Sequence, residues 1–157
     1  MKKPNFLVKL ANEGKLQVIE PNEDVKTAYL QKSAKSLSSA KALLEIGNLE
    51  DSVALAYYAM YHSLLALLFR AGIKCENHFC SILAVENLLG EESVKTINEH
   101  KLKRIDAQYY MKVVSEEKIK EMLRFAKVLV SEFDNLVSTL SEKEVDSYRK
   151  KLQGLLR

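Results

Sequence analysis

The chain has 157 residues, of which 47% are hydrophobic and 29% are charged, and its formal net charge is +3. A chain of this length is expected to form one domain whose core needs no disulfides or metals for stability. The mild charge does not require a nucleic-acid partner, and two cysteines exclude a disulfide-rich scaffold, so a cytoplasmic location is expected. Five glycines and two prolines are few, which favours long helices over a turn-rich β fold.

Residues 1–21 are predicted to form a small N-terminal arm. Asn5 is a suitable N-cap for a short helix that ends at Asn12, and Gly14 follows it as a stop signal. The stretch 15–20 is expected to be extended, and a proline closes it.

The first long helix is predicted at about residues 22–46. Asn22 is a preferred N-cap residue, and the two acidic residues after it favour the positive end of the helix dipole. Apolar residues at steps of three and four form one stripe along this helix: Leu30, Ala34, Leu37, Ala40 and Leu44. Gly47 is expected to end it.

The stretch 52–69 carries no charged side chain and is apolar on almost every side. Such a helix belongs either in the centre of a protein core or in a membrane. Tyrosines, a histidine and a serine in its middle favour the core, because a lipid-facing helix would have to bury their polar groups. The stretch is therefore predicted to be the central helix of a bundle, with no membrane association. Its predicted N-terminus is Asn48, with Asp51 in the capping-box position, and Gly72 is expected to stop it.

The remaining segments are also predicted to be helical. A short helix is expected at 78–89, and residues 91–113 are predicted to form a less regular helix with a break near His100. Ser115 is the predicted N-cap of the last long helix, which extends to residue 140. Ser141 and Glu144 form a second capping-box pattern, and an amphipathic helix is expected after it.

The predicted fold is all-α, an up-and-down bundle of four to five helices over residues 22–140. The arm at 1–21 precedes this bundle, and a C-terminal amphipathic helix at 141–157 follows it. The turn between the first two long helices is so short that they are expected to form an antiparallel hairpin. The final helix is expected to pack on its own bundle or on another subunit.

Two groups of polar residues in the central part of the chain are candidates for chemistry. Tyr58 and His62 lie one turn apart on the central helix and share a face. They line a polar pocket or pack in the core, and composition favours packing, with the histidine bonded to a neighbour. Cys75, His78 and Cys80 lack the spacing of a zinc site, which needs four ligands, so no metal is expected.

A further polar group consists of Arg104, Asp106, Tyr109 and Tyr110. An arginine beside two aromatic rings can hold a phosphate and stack a base. The alternative is an exposed arginine that pairs with Asp106 or another carboxylate. In a continuous helix Arg104 and Tyr109 point about 140° apart, so a shared ligand would require a helix break or a second subunit. The sequence contains no phosphate loop, catalytic triad or cofactor motif, so no cofactor is expected.

Two segments together resemble one known family. The first is residues 56–85, AYYAMYHSLLALLFRAGIKCENHFCSILAV, and the second is RIDAQY, which runs from Arg104 to Tyr109. They are similar to HEPN domains (higher eukaryotes and prokaryotes nucleotide-binding), specifically to the small prokaryotic branch of that family. In that branch a tyrosine-rich helix, an R-A-G turn and a histidine precede an R-x-x-A-D-Y motif, in which this chain has Gln108 instead of Asp. The resemblance covers about residues 15–140.

The resemblance implies a four- or five-helix bundle that is usually a homodimer. Many members pair with a small nucleotidyltransferase in toxin–antitoxin or defence operons. Many others are ribonucleases in which a histidine follows the arginine after four to six residues. Here Tyr109, Tyr110 and Met111 occupy those positions after Arg104. A tyrosine with a pKa near 10 is a poor base at neutral pH, which argues against ribonuclease activity.

The resemblance therefore implies a bundle that binds a nucleotide, RNA or a partner nucleotidyltransferase and is not itself catalytic. One alternative is a ribonuclease toxin with an atypical active site, and another is a dimeric protein-interaction module. The candidate binding residues are Arg104, Asp106, Tyr109, Tyr110, Tyr58, His62 and His78.

Overall fold

The structure is a computed structural model that describes residues 3–157. In this part of the chain there are seven α-helices: α1 (Lys3–Asn12), α2 (Glu23–Glu45), α3 (Leu49–Ala71), α4 (His78–Leu89), α5 (Lys95–Tyr109), α6 (Glu116–Thr139) and α7 (Glu142–Leu155). A 3-10 turn (Glu91–Val94) joins α4 to α5. Two short strands, β1 (Leu16–Val18) and β2 (Ile73–Cys75), pair antiparallel. The predicted all-α bundle is confirmed.

Helix α3 occupies the centre of the bundle, as its sequence predicts. Helices α2, α4, α5, α6 and α7 all contact it, and most of its residues are buried. By length and composition alone α3 could cross a membrane, but 78% of its most apolar window is buried inside the protein. The same composition that would suit lipid is thus used to form the hydrophobic core.

Helices α2 and α3 form the predicted antiparallel hairpin, which two buried serines hold together. Ser33 Oγ donates to the Ala59 carbonyl oxygen at 2.6 Å. Ser52 Oγ donates to the Ala40 carbonyl oxygen at 2.7 Å. Small side chains at these positions allow the helix backbones to approach closely enough for direct side-chain-to-backbone bonds.

The predicted N-terminal caps are confirmed at three helices and wrong at two. Asn22, Ser115 and Ser141 each accept a hydrogen bond from the backbone of the first turn, and Ser141 forms a full capping box with Glu144. The box predicted at Asn48 does not form, because its amide donates to the Asp51 carboxylate at 3.0 Å instead. Helix α1 ends at Asn12 as predicted, but it begins at Lys3, so Asn5 lies inside the helix and is not its N-cap.

The β1–β2 ladder connects the N-terminal arm to the start of α4. Leu16 lies opposite Cys75, and Val18 lies opposite Ile73. The extended stretch at 15–20 was predicted, but no strand was predicted at residues 73–75. A three-residue strand is too short to show an alternating pattern, and its partner is distant in the chain.

The helix predicted over 91–113, with a break near His100, is wrong in its boundaries. The irregularity lies at the 3-10 turn, whereas α5 continues through His100 and ends at Tyr109. The ring nitrogens of His100 lie 2.8 Å from the Thr96 carbonyl oxygen and 3.2 Å from that of Met122, so this buried residue joins α5 to α6. Beyond α5 the chain turns at Met111, which has a left-handed φ of 54°.

Helix α7 packs on its own bundle, where it contacts α3 and α4. Val145 and Leu152 are each only 1% exposed. Arg149 Nη1 donates to the carbonyl oxygens of Ala71 and Gly72, each at 3.2 Å, and also to that of Ile19. One side chain of α7 therefore joins the end of α3 to the N-terminal arm.

Candidate functional site

A polar cluster lies where α3, α4 and α5 meet. It consists of Tyr57, Tyr58, His62, His78 and Arg104, and is called the Arg104 cluster below. Helix α3 contributes the two tyrosines and His62, and α5 contributes Arg104. His78 is the first residue of α4, which begins there because the Asn77 side chain accepts a hydrogen bond from a backbone N–H in the first turn.

Arg104 points into the bundle and is bound by α3. Its Nη1 donates to the Tyr58 hydroxyl at 3.0 Å and to Gln108 Oε1 at 3.4 Å. Its Cζ lies 5.0 Å from the Tyr57 ring centroid and 5.4 Å from that of Tyr58, which is within cation–π range. Its Nε is buried and has no hydrogen-bond partner in the described part of the chain.

No carboxylate within residues 3–157 forms an ion pair with Arg104. Asp106 instead pairs with Lys112 at 3.6 Å. The alternative of an exposed Arg104 that pairs with Asp106 or a nearby carboxylate is therefore wrong. A half-buried guanidinium without an acidic partner is an uncompensated positive charge, which is unusual in a folded protein.

His78 is oriented by two tyrosines of α3. The Tyr57 hydroxyl lies 2.7 Å from His78 Nδ1, and the His78 ring stacks on Tyr61 with centroids 3.8 Å apart. Tyr57 is fully buried, burial raises its pKa, and His78 is the only hydrogen-bond partner that the described residues offer its hydroxyl. The arrangement that satisfies both groups has Tyr57 donating to Nδ1, so that Nε2 of a neutral His78 carries the proton.

Burial and nearby positive charges both lower pKa values around Arg104. Burial lowers the pKa of His78, and the charges of Arg104 and Lys101 lower it further. Burial also lowers the pKa of Lys101, and Arg104 adds to the effect. Each cation therefore makes protonation of its neighbours less favourable, and an anion bound among them would oppose these shifts.

His62 forms the inner wall of the cluster. Its ring stacks on Tyr58 at 6.0 Å and on Tyr29 of α2 at 5.7 Å. Burial lowers its pKa to about 4, with smaller contributions from Lys32 and His78. Its Nδ1 is buried and, among the described residues, unpaired. The alternative of a core histidine bonded to a neighbour therefore does not hold at Nδ1.

The structure brings together only part of the candidate site. Arg104, Tyr58, His62 and His78 belong to one cluster, whereas Tyr109 and Tyr110 are 69% and 68% exposed. Because α5 is continuous from Arg104 to Tyr109, the side chains of Arg104 and Tyr109 point in different directions, as helical geometry predicts. Asp106 also lies outside the cluster.

Two residues that the sequence did not select lie at the site. Tyr57 is next to the selected Tyr58, but its role depends on the packing of α4 against α3. The local sequence therefore did not indicate that role. Lys101 lies one turn before Arg104, so the spacing of two basic residues on one helix face was a signal that could have indicated it.

The two cysteines near the cluster are free thiols. Cys80 is buried, and its Sγ lies 3.7 Å from the Lys15 carbonyl oxygen, while Cys75 is partly buried. The described side chains contain no group of three His, Cys, Asp or Glu residues that could hold a metal ion.

The sequence match to known proteins covers this site. Residues 27–136 match the HEPN domain family, a range that contains the whole Arg104 cluster. The chain belongs to the HEPN domain family. HEPN domains are helical domains of nucleotide-binding or ribonuclease-like type. The UPF0332 protein PH1297 of Pyrococcus horikoshii is 29% identical over 113 residues, which is 72% of this chain and 74% of that protein.

The family resemblance inferred from the two segments is thereby confirmed. In this HEPN domain no histidine follows Arg104 along α5. His78 of α4 is instead linked to Arg104 through Tyr57. The Arg104 guanidinium lies over the Tyr57 ring, and the Tyr57 hydroxyl is hydrogen-bonded to His78.

Proposed function

We propose that this HEPN domain binds a phosphate-bearing ligand, a nucleotide or RNA, at the Arg104 cluster and is not itself catalytic. The observation that carries the proposal is the half-buried guanidinium of Arg104, which has an unpaired Nε and no carboxylate partner among the described residues. Phosphate oxygens are the acceptors that match a guanidinium in charge and in fork geometry. A bound phosphate would compensate this charge.

The surrounding charges support the same ligand class. Lys101 and His78 both have lowered pKa values, partly because of Arg104, and no acidic group contributes to either shift. A phosphate would raise both pKa values, so its binding would be coupled to proton uptake by His78. The affinity should therefore increase as the pH falls from the pKa of His78 in the complex toward its lowered pKa in the free protein.

The chemistry of the site argues against catalysis by the family motif. The histidine expected after Arg104 is replaced by tyrosines, and Tyr109 and Tyr110 extend into solvent. Neither side chain is in the Arg104 cluster, so neither is placed to act as a base beside the guanidinium.

Isothermal titration calorimetry with ADP and with a short single-stranded RNA tests the proposal. Arg104→Ala should weaken binding about 10- to 100-fold, as expected for loss of a charge-assisted hydrogen bond to the ligand. Arg124→Ala, which removes an exposed arginine of α6, is the matched control and should leave affinity unchanged. Equal affinity of the wild type and Arg104→Ala, or no binding by the wild type, would contradict the proposal.

One observation favours a second candidate function, a ribonuclease with an atypical site. His78 is adjacent to the Arg104 guanidinium, and Tyr57 fixes its Nδ1 so that Nε2 is free to exchange a proton. In this case purified protein cleaves RNA, and both His78→Asn and Arg104→Ala abolish cleavage. Cleavage that survives either substitution would rule out this site.

We also propose that the domain is a cytoplasmic homodimer and that a small nucleotidyltransferase of a toxin–antitoxin or defence pair is a further partner. The support is a run of exposed large side chains at the end of α5 and directly after it, formed by Tyr109, Tyr110, Met111 and Val113. Such runs are typical of protein interfaces. Light scattering should give about twice the chain mass of 17.9 kDa, and a monomeric mass would contradict the dimer.

A further inference from the structure

Phe79 is an exposed aromatic ring beside the Arg104 cluster. It follows His78 directly in the first turn of α4, and 48% of its side chain is exposed. Lys101 Nζ lies 6.0 Å from its ring centroid. Because Lys101 and Arg104 lie one turn apart on α5, Phe79 lies beside the positively charged residues of the site.

A second aromatic ring and a second lysine extend this surface. Phe6 of α1 packs edge-on against Phe79, with centroids 5.1 Å apart and an interplanar angle of 75°. Lys9 Nζ lies 5.8 Å from the Phe6 centroid. The contacts therefore follow the order Lys9, Phe6, Phe79, Lys101, so two neighbouring rings lie between two lysines, and Arg104 lies one turn beyond Lys101.

The charges of this surface are available for a ligand. No ion pair formed by the described residues includes Lys101, and burial together with Arg104 lowers its pKa. Lys9 is exposed and has one loose ion pair, to Glu13 at 3.9 Å. Both ammonium groups are held against ring faces rather than neutralised by close carboxylates.

We propose that Phe79 stacks on a nucleobase and that the surface from Arg104 to Lys9 binds a single-stranded oligonucleotide. The inference rests on the proposed function and adds a stacking subsite to it. In a single strand the flat faces of the bases are accessible beside the phosphates, and this surface offers aromatic rings between positively charged side chains. A duplex hides those faces in its own stack, so it does not fit this surface.

The test compares a ligand that carries bases with one that does not. Fluorescence anisotropy measures the binding of labelled hexauridylate and of the matching DNA strand, and calorimetry measures the binding of pyrophosphate. Phe79→Ala should weaken oligonucleotide binding about 5- to 100-fold and leave pyrophosphate binding unchanged. Phe125→Ala is the matched control, because Phe125 is 51% exposed on α6, and it should change neither affinity. Phe79→Tyr should restore oligonucleotide binding.

The salt dependence gives an independent measurement. Replacing one phosphate-binding lysine should reduce the slope of log K against log salt by about 0.7 for a single strand. Lys101→Gln should show this reduction, and an unchanged slope would remove Lys101 from the surface.

The outcomes separate this inference from the proposed function. If Phe79→Ala binds hexauridylate as tightly as Phe125→Ala does, while Arg104→Ala still loses pyrophosphate binding, only the stacking subsite is overturned. If the wild type binds neither probe, both proposals fail. Binding of hexauridylate or of the DNA strand that depends on Phe79 supports the inference. Tighter binding of the RNA than of the DNA would show that the 2′-hydroxyl contributes to recognition. Equally tight binding of a duplex overturns it.

Discussion

Gly72 is a position where backbone conformation and packing demand the same residue. It ends α3 with a left-handed φ of 70°, a backbone conformation that residues other than glycine rarely adopt. A Cβ added there would also collide with Arg149 Nη1 and with the Ile19 carbonyl oxygen. Gly47 has a similar φ of 79°, but no atom lies within 4 Å of a Cβ at that position.

The two glycines allow backbone strain to be separated from steric collision. Gly47→Ala should cost about 1 kcal/mol, from the left-handed backbone alone. Gly72→Ala should cost about 1–3 kcal/mol more than Gly47→Ala, because Arg149 and the N-terminal arm must move. Urea denaturation followed by circular dichroism measures both losses. Equal losses for the two variants would show that Arg149 relaxes without cost.

At the scale of one element, α7 illustrates how a terminal helix can belong to the core. It lies outside the range matched to the HEPN family, yet Val145 and Leu152 are buried against the bundle. Arg70 adds a hydrogen bond to the Leu140 carbonyl oxygen at 2.9 Å and an ion pair with Glu142 at 3.0 Å. These contacts make α7 part of the folded domain rather than an appendage.

Leu152→Ala should therefore destabilise the whole domain. Removal of a fully buried leucine side chain typically costs about 2–5 kcal/mol, depending on how far the cavity collapses. Gln153→Ala, at the exposed neighbouring position, is the control and should change stability by less than about 0.5 kcal/mol. The measurement is the free energy of unfolding in urea. A Leu152→Ala variant as stable as the control would mean that α7 contributes no net stability.

On the scale of the whole molecule, the three histidines share one electrostatic property. The pKa values of His62, His78 and His100 are all lowered, and burial is the main cause in each case. In the unfolded chain a histidine binds a proton near pH 6.5. Between that pH and the lower native pKa, the unfolded state binds more protons than the native state, so acidification favours unfolding.

The stability that the neutral histidines contribute should therefore be fully present above about pH 6.5. It should decrease as the pH falls to about 4, the pKa of His62. His62 should account for about 1–2 kcal/mol of this loss, after allowance for its partial exposure to solvent. Urea midpoints at pH 7.5 and 4.5 measure the effect. His62→Phe keeps the stacking on Tyr29 and Tyr58 but cannot titrate, so its midpoint should depend less on pH.

The wild type and His62→Phe share the carboxylates that also titrate in this range, such as Glu23, whose pKa Lys26 lowers. The difference between the two proteins therefore isolates the histidine. An identical pH dependence for both would mean that His62 does not contribute.

Much of the helical framework could be predicted from the sequence, because its signals are local. The N-caps at Asn22, Ser115 and Ser141 and the glycine at position 72 act within one helical turn, and the apolar periodicity of each helix extends along contiguous residues. The apolar composition of α3 was likewise sufficient to predict its central position. The end of α5 and the β1–β2 ladder were not predictable in this way, because they depend on partners elsewhere in the chain.

The candidate site could also be predicted only in part from the sequence. Arg104, Tyr58, His62 and His78 could be selected from the sequence as unusual polar residues, but their relation to one another could not. The Tyr58 hydroxyl that binds Arg104 lies 46 positions away in the chain, and the Tyr57 hydroxyl that binds His78 lies 21 positions away. The sequence by itself thus determined the helices and the family, since both depend on short-range patterns. Only the packing of α4 and α5 on α3 decided which polar side chains share a site, because distance in space is set by tertiary contacts.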